Sequence, residues 1–475
     1  MTSIDTLPDD VLLEIFNLHG YYDVDSFGFR RETGWQTLVH VCRRWRCIVF
    51  GSPRHLNLQL VCTQRTPAID MLDVWPALPL IVTYTGYGNE SVKNIVAALE
   101  CCDRVYRITL NFFRSRNLEM DILLGTMQQP FPELTGLVLS SYDSKFKTTM
   151  AVVPNSFLGG SAPRLRSLSL NGIPFPGLPK LLLSAPHLVT LSLYDIPHSG
   201  YISPDGMVAV LSTVTNLGHL SLVFISPRSC PDQASRRPPP STRSVLPGLI
   251  YFEFKGVSEY LDDLVACIDA PQLNGLDIKF FNDVVFDTPQ LVRFISQTPK
   301  SKALESVYIS LQDWGASINF SSQRSPFVFK VTILCRGLDW QVAAMEQVCT
   351  SCLPPFYMLE DLYFQEDSHS SPDRKDSIEN RECLELFRPF MAVKNLYLSE
   401  NLASLIAPAL QELVEGRTTD VLPALQNIFL KGLKSSGSVQ ETIGKLVAAR
   451  QAANHPIVIS PWTDSEETDS EESVD

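Results

Sequence analysis

The apolar residues of this chain recur in one short pattern over most of its length. Leucine or another apolar residue fills the first, fourth and sixth positions of a six-residue phrase, and the positions between are mostly polar or small. Alternation over this length predicts a β-strand with one buried face. The phrases lie at residues 134–139, 165–170, 188–193, 217–222, 249–254, 273–278, 304–309, 359–364, 393–398 and 425–430.

Segments between the phrases carry apolar residues at helical spacing, for example 175–184, 205–212, 260–268 and 289–296. One strand and one helix cannot bury their own apolar edges, so such units must stack side by side in parallel. The widest gap, between 304–309 and 359–364, contains another β-rich run at 327–334 that we interpret as an extra, irregular unit. A single open α/β sheet is the alternative, and the number of similar strands favours the repeat array.

The first sixty residues have a different, helical pattern. Pro8 suits the first turn of a helix, where Asp9 and Asp10 complement the helix dipole. Apolar residues then follow at spacings of three, four or seven in two stretches, Val11 to Phe16 and Leu38 to Val49. Because about fifty residues bury too little apolar surface to be stable alone, part of this surface must contact another body.

Residues 7–16, followed by residues 41–48, resemble an F-box, the motif by which ubiquitin-ligase subunits dock on the Skp adaptor of cullin-RING ligases. Two features depart from the motif: the connection at 20–34 is long, and residues 53–58 replace the usual downstream Leu-Trp pair. The alternative is a helical cap on a larger domain. The resemblance implies that the adaptor-binding and packing positions are Leu7, Pro8, Val11, Leu12, Ile15, Phe16, Leu38, Val41, Cys42, Trp45 and Ile48.

The repeated phrases resemble a leucine-rich-repeat array of irregular length, a domain commonly found behind an F-box. The implied fold is an all-α F-box followed by an α/β solenoid, an irregular horseshoe with a parallel sheet. We expect the F-box at 4–60 and the repeat domain at 65–459, with loop insertions at 226–247 and 367–382. A disordered acidic tail should occupy 460–475.

The fifth position of each phrase should point to the open face of the sheet, which repeat proteins use to bind extended partners. Along the array this position changes from small residues to acids and then to aromatic residues. We expect a target-binding patch made of Tyr308, Tyr363, Tyr397 and Phe429, with Glu253 and Asp277 and their neighbours Lys255 and Lys279 beside it. The alternative is that aromatic residues simply favour strands, and that a helix at 439–450 covers Phe429.

Net charge is −13, and the last thirteen residues hold seven acids and no base. This charge balance does not indicate a basic surface that would bind nucleic acid. Eleven scattered cysteines suggest free thiols in a reducing compartment. Neither a signal peptide nor an apolar run long enough to cross a membrane is visible. We therefore expect a soluble protein of the cytoplasm, the nucleus or both.

The sequence contains no phosphate-binding loop, no nucleophile elbow and no H-E-x-x-H metal motif. Its single C-x-x-C pair, Cys349 and Cys352, has no second pair at zinc-site spacing. Cys42 could be suspected as a nucleophile, but its apolar surroundings favour packing. We expect no catalytic residue, metal or cofactor. Thr463 and Thr468 have an acid three residues on, as acid-directed kinase sites do.

What the F-box resemblance implies is a non-catalytic substrate-recognition subunit of a cullin-RING (SCF-type) ubiquitin ligase. Its partners would be the Skp adaptor, through it a cullin, and an unidentified target protein. The alternative is a scaffold that binds other proteins without directing their degradation.

Overall fold

A computed structural model describes residues 4–19, 34–65, 67–86, 92–112, 117–141, 152–229, 243–281, 288–299, 304–322, 325–353, 359–366, 380–412, 421–431 and 438–462. The chain forms two compact units, Met1–Gly200 and Tyr201–Asp475. Most of the predicted connection at 20–34 lies outside the described residues, as do residues 230–242 and 367–379 of the insertions and residues 463–475 of the tail.

The first unit begins with three helices, α1 (Asp9–His19), α2 (Gly34–Leu38) and α3 (Arg43–Gly51), after a 3-10 turn at Ile4–Thr6. The helical spacing predicted from Leu38 to Val49 is interrupted by a turn at residues 39–42. Arg44 joins the two ends of this subdomain, because its Nη2 lies 2.6 Å from Asp9 Oδ1 and also donates to the carbonyl of Leu7.

Six strands of the first unit pair in parallel in chain order, and the last three of them overlap the repeated phrases at 134–139, 165–170 and 188–193. Leucines at the fourth and sixth positions point inward and are buried, for example Leu168, Leu170, Leu191 and Leu193. The strands are β1 (Leu60–Cys62), β2 (Leu80–Thr85), β3 (Val105–Asn111), β4 (Gly136–Ser140), β5 (Ser167–Asn171) and β6 (Thr190–Ile196). The helices between them are α4 (Ala68–Val74), α5 (Lys93–Glu100), α6 (Asn117–Thr126) and α7 (Leu178–Leu183).

The second unit has a larger, mostly parallel sheet, again with helices between strands. Its main strands are β7 (His219–Phe224), β9 (Tyr251–Gly256), β11 (Gly275–Phe281), β12 (Ser306–Gln312), β13 (Gly315–Ser322), β14 (Ser325–Leu334), β15 (Asp361–Glu366), β16 (Asn395–Leu398), β17 (Asn427–Leu430) and β18 (Val458–Pro461). A short parallel pair is formed by β8 (Ser244–Val245) and β10 (Ile268–Asp269). The helices are α8 (Pro204–Leu211), α9 (Ser258–Ala266), α10 (Pro289–Gln297), α11 (Leu338–Gln347), α12 (Asn380–Phe387), α13 (Glu400–Glu412) and α14 (Ser438–Ala452).

The irregular unit in the widest gap changes the order of the strands. The strand β14 pairs in parallel with β11, whereas β12 pairs with β15, and the antiparallel strand β13 lies between β14 and β12. The phrases 273–278 and 304–309 follow each other in the sequence but are therefore not neighbours in the sheet. The physical reason is the tight β12–β13 turn at residues 313–314, which folds the chain back and lets β14 take the neighbouring edge of β11.

The sheet also extends past the predicted boundary at residue 459. Strand β18 runs to Pro461, and the backbone N–H of Trp462 donates to the carbonyl of Leu430 at 2.8 Å. Residues 460–462 therefore belong to the repeat domain and not to the acidic tail. Among the described residues, no helix combines the length and the apolar character that a membrane crossing requires.

Candidate protein-interaction surfaces

Helix α1 has one packed face and one exposed apolar face. Leu12 and Phe16 are buried, and the Phe16 ring lies 4.7 Å from the Trp45 ring of α3. Val11, Ile15 and Leu18, which are four and three residues apart and so share a side of the helix, are 40%, 41% and 69% exposed. We call these three residues the docking stripe.

The residues that the F-box resemblance singled out differ in how deeply they are buried. Leu12, Phe16 and Leu38 are buried, so their role is packing. Leu7, Trp45 and Ile48 are half-buried, whereas Pro8, Val11, Ile15, Val41 and Cys42 are exposed. Leu18 was missed by the sequence reasoning, although its spacing from Val11 was visible.

The packing role predicted for Cys42 is wrong. The turn at 39–42 places this residue outside the helices, where it is exposed and precedes the first residue of α3. Its sulfur accepts a hydrogen bond from the backbone N–H of Trp45 at 3.4 Å. Cys42 therefore caps α3, a role that apolar spacing alone does not reveal.

A cluster of aromatic rings joins the N-terminal helices to the first repeat. The Trp75 ring, at the end of α4, lies 5.4 Å from Trp35 and 5.9 Å from Phe50, and both contacts are edge-on. Trp35 Nε1 also donates to the carbonyl of Gln59 at 3.1 Å, just before β1. We call Trp35, Phe50 and Trp75 the aromatic joint. The sequence reasoning missed it because Trp75 belongs to none of the repeated phrases.

On the open face of the second unit, four aromatic residues stack across neighbouring strands. The centroid distances are 4.3 Å for Tyr308–Tyr363, 4.1 Å for Tyr363–Tyr397 and 4.5 Å for Tyr397–Phe429, with each pair of planes within 10° of parallel. Strand pairing places all four in one register row. We call this row the tyrosine ladder. Its members are half-buried, as expected for a row that lines the open face.

Trp462 packs against the middle of the ladder. Its ring lies 5.9 Å from Tyr363 and 5.7 Å from Tyr397, and Lys431 Nζ lies 5.4 Å from the centroid of its indole. The sequence predicts that residues 460–475 form the tail, so it does not predict the position of Trp462 on the open face. A tryptophan directly after a β-rich run was the signal that could have located it.

Burial keeps the central phenols neutral. It is the main cause that raises the pKa of Tyr363 and of Tyr397 above the ordinary tyrosine value, and the nearby Asp361 carboxylate raises both further. Beside the ladder, Asn427 donates to Asn395 at 2.8 Å and Asn395 donates to Asp361 at 2.7 Å. Beside the neutral hydroxyls, the face therefore presents two amides and the Asp361 carboxylate.

The acidic part of the predicted patch is separate from the ladder. Lys279 Nζ lies 3.3 Å from both Glu253 and Asp277. Burial acts to lower the pKa of Lys279, but these two carboxylates outweigh it and the pKa is raised. In the register, Lys330 of β14 and Asn319 of β13 lie between Asp277 and Tyr308. The expectation that Glu253 and Asp277 lie beside the aromatic patch is therefore wrong, because β14 and β13 separate β11 from β12.

Several cysteines are buried thiols. Burial raises the pKa of Cys62 to about 11 and that of Cys383 to about 12, so both are protonated at neutral pH. Cys349 of the C-x-x-C pair is buried as well. Among the described residues, no group of three or more histidine, cysteine, aspartate or glutamate side chains could hold a metal ion.

No protein-family model matches this chain, and no curated protein matches it. Among solved structures, the leucine-rich repeat-containing protein LegL7 from Legionella pneumophila aligns over 82% of this chain and 97% of its own length. The identity is 11% and the TM-score is 0.25. The repeat architecture is therefore supported by the pairing of the strands in this chain itself.

Proposed function

We propose that this chain is the substrate-recognition adaptor of a cullin-RING ubiquitin ligase. The N-terminal helices would dock on the Skp adaptor, and the repeat sheet would bind a target protein. The observation that carries the proposal is the docking stripe on α1, exposed on a helix whose other face is packed. A contiguous apolar surface of this kind marks an interaction site. Burying a fully exposed side chain of this kind contributes roughly 1.5–3 kcal/mol, and because these three are 40–69% exposed, each would contribute about half of that.

The target would bind on the open face of the second unit, with the tyrosine ladder as its anchor. Tyrosine and tryptophan are enriched in protein-binding hot spots because a large apolar body carries one polar group. The ladder provides three tyrosines in one row, and Trp462 packs against the middle of that row. We expect hydrogen bonds from the neutral hydroxyls to the backbone of a bound segment.

In this account the chain carries out no chemistry of its own and needs no cofactor. It would hold the target near the conjugating enzyme, and the gain in rate would come from proximity. The aromatic joint would fix the docked N-terminal helices relative to the first repeats. Such a ligase subunit would act in the cytoplasm, the nucleus or both.

The second candidate is a scaffold that binds the Skp adaptor or other proteins without directing degradation. Affinity purification with the proteasome blocked, followed by mass spectrometry, separates the two. A ligase subunit should recover the Skp adaptor, a cullin and at least one protein whose abundance rises when this chain is removed. Recovery of the adaptor without a cullin would favour the scaffold, and recovery of neither would contradict the docking proposal.

A further inference from the structure

The Trp462 ring reaches across a neighbouring strand to the tyrosine ladder. Its backbone continues β18, which pairs with β17, whereas Tyr397 lies on β16 and Tyr363 on β15. The indole therefore extends over the open face to contact both rings. Stacking covers the faces of these phenols, so the indole meets their edges, at 67° to the plane of Tyr397 and 57° to that of Tyr363. The chain thus places one of its own side chains on the part of the ladder that remains open to a target.

The strand that leads to Trp462 is weakly held. Strand β18 is the last in the order of the sheet, and among the residues that the structure describes no strand pairs with its outer side. Strand β17 buries the side chains of Ile428 and Leu430, whereas β18 buries none and Val458 is 57% exposed. Although Ile457 just before the strand is buried, β18 lacks much of the apolar burial that contributes roughly 1.5–3 kcal/mol for each fully buried side chain. We call residues 458–462 the strap.

Backbone hydrogen bonds hold the strap beside β17. The N–H groups of Val458 and Trp462 donate to the carbonyls of Gln426 and Leu430 at 2.9 and 2.8 Å. Because N–H groups alternate in direction along a strand, that of Ser460 also points toward β17. Bonds of this kind do not depend on the identity of a side chain, so another extended segment could make them by strand addition.

The place of the Trp462 ring suits an aromatic side chain. The edges of Tyr363 and Tyr397 meet the indole, and Lys431 Nζ lies 5.4 Å from its centroid. Tilted contacts between aromatic rings are favourable, and tryptophan is the aromatic residue that a nearby cation attracts most strongly. A segment that replaced the strap would keep these contacts if it presented an aromatic ring at the same place.

We propose that the strap is an intramolecular occupant of the target-binding face, and that a target protein replaces it with an extended segment that carries an aromatic side chain at the place of the Trp462 ring. This inference rests on the proposed binding of a target to the tyrosine ladder. A tethered occupant has an effective concentration on the order of millimolar, so the strap lowers the affinity of any segment that competes for the same place.

A fluorescent peptide with the sequence of residues 456–463 tests the proposal by fluorescence anisotropy with the purified full chain. The variant Ser460→Pro with Trp462→Ala releases the strap, because it removes an N–H group that points toward β17 and the indole ring. The peptide should bind this variant saturably and at least tenfold more tightly than it binds the natural chain, whose strap competes. The same peptide with Trp462→Ala should bind the variant at least tenfold more weakly, because it lacks the ring.

Two further full-length variants secure the comparison. Trp340→Ala removes a half-exposed tryptophan outside the ladder, and this variant should bind the peptide as weakly as the natural chain does. If the double variant does not keep the thermal melt of the natural chain, Trp462→Ala alone opens the place of the indole and should also bind the peptide more tightly than the natural chain.

The proposal is overturned if the peptide binds the natural chain as tightly as the strap variant, or if it binds neither. It is also overturned if the alanine form of the peptide binds the strap variant as tightly as the tryptophan form. The experiment uses neither the Skp adaptor nor a target, so such a result would leave the docking proposal standing. Loss of adaptor binding, in turn, would not change the peptide result.

Discussion

The phenol rings of Tyr363 and Tyr397 stack with their centroids 4.1 Å apart and their planes 10° from parallel. The residues face each other in the register of β15 and β16, and the stack continues to Tyr308 on one side and Phe429 on the other. Rings stacked in this way cover each other's faces. We therefore expect the tyrosine ladder to meet a partner through its hydroxyl edge, and to stabilise the sheet as well.

The position of a ring in the ladder should determine the cost of removing it. Tyr363→Ala removes two stacking contacts and should lower the free energy of unfolding by about 3 kcal/mol, whereas Tyr308→Ala removes one and should cost about half as much. Urea unfolding of the full chain measures both. Tyr363→Phe keeps the ring and should cost under about 1 kcal/mol. Equal losses for Tyr363→Ala and Tyr308→Ala would show that the stack contributes little.

The raised pKa values of the ladder predict a loss of stability at high pH. Burial raises the pKa of Tyr363 and Tyr397 in the folded chain, so the folded state holds these protons more tightly than the unfolded state. Their contribution is fully present below the pKa of an unfolded tyrosine, about 10, and decreases as the pH rises above it. Absorbance titration of the folded chain should show phenols that do not ionise near pH 10. In a Tyr363→Phe variant the decline in stability between about pH 10 and 11 should be smaller, and an unchanged decline would contradict this reading.

The repeat pattern predicted the parallel strands and their buried leucines because alternation of apolar residues is a local property of the sequence. Leu168 and Leu170 could be placed in the core from their spacing alone. The order of the strands could not, since pairing of β14 with β11 depends on a reversal at residues 313–314 that no periodicity encodes. For the same reason the expectation that Asp277 lies beside the aromatic patch, which follows from the order of the phrases in the chain, is wrong.

In the N-terminal helices, too, the sequence predicts which residues are apolar but not which of them are buried. Helical spacing identified the apolar residues of α1, but only packing against α3 separates buried Phe16 from exposed Ile15. The aromatic joint depends on Trp75, which is 40 residues from Trp35 in the chain. Contacts between distant segments of this kind leave no local pattern in the sequence.

The reversed strand β13 should depend on Gly315. A Cβ at this position would overlap the carbonyl oxygen of Ile333 on β14, so Gly315→Ala must displace one strand from its neighbour. We expect a loss of at least about 2 kcal/mol in the free energy of unfolding. Gly444→Ala is the matched control, because nothing lies within 4 Å of the added carbon in α14, and helix propensity predicts a gain of about 0.5–1 kcal/mol. Similar effects of the two substitutions would contradict the close approach of β13 and β14.

The aromatic joint should restrain the N-terminal helices without touching the docking stripe. Trp75→Ala removes the ring that contacts both Trp35 and Phe50, so amide hydrogen exchange should become faster in α2 and α3. If the proposed function holds, the affinity for the Skp adaptor should change little, whereas ubiquitylation of a bound target should fall. Unchanged exchange in the variant would show that the joint does not restrain these helices.

The central claim is that the docking stripe binds the Skp adaptor, and calorimetric titration of the purified full chain with that adaptor tests it most directly. Val11→Asp with Ile15→Asp should weaken binding at least about a hundredfold, because two apolar contacts are replaced by charges while the buried face of α1 is unchanged. The matched control places the same two charges on α4, at the exposed apolar residues Ile69 and Val74, and should bind like the natural chain. Equal affinity of the stripe variant and the control, or no binding by the natural chain, would contradict the account.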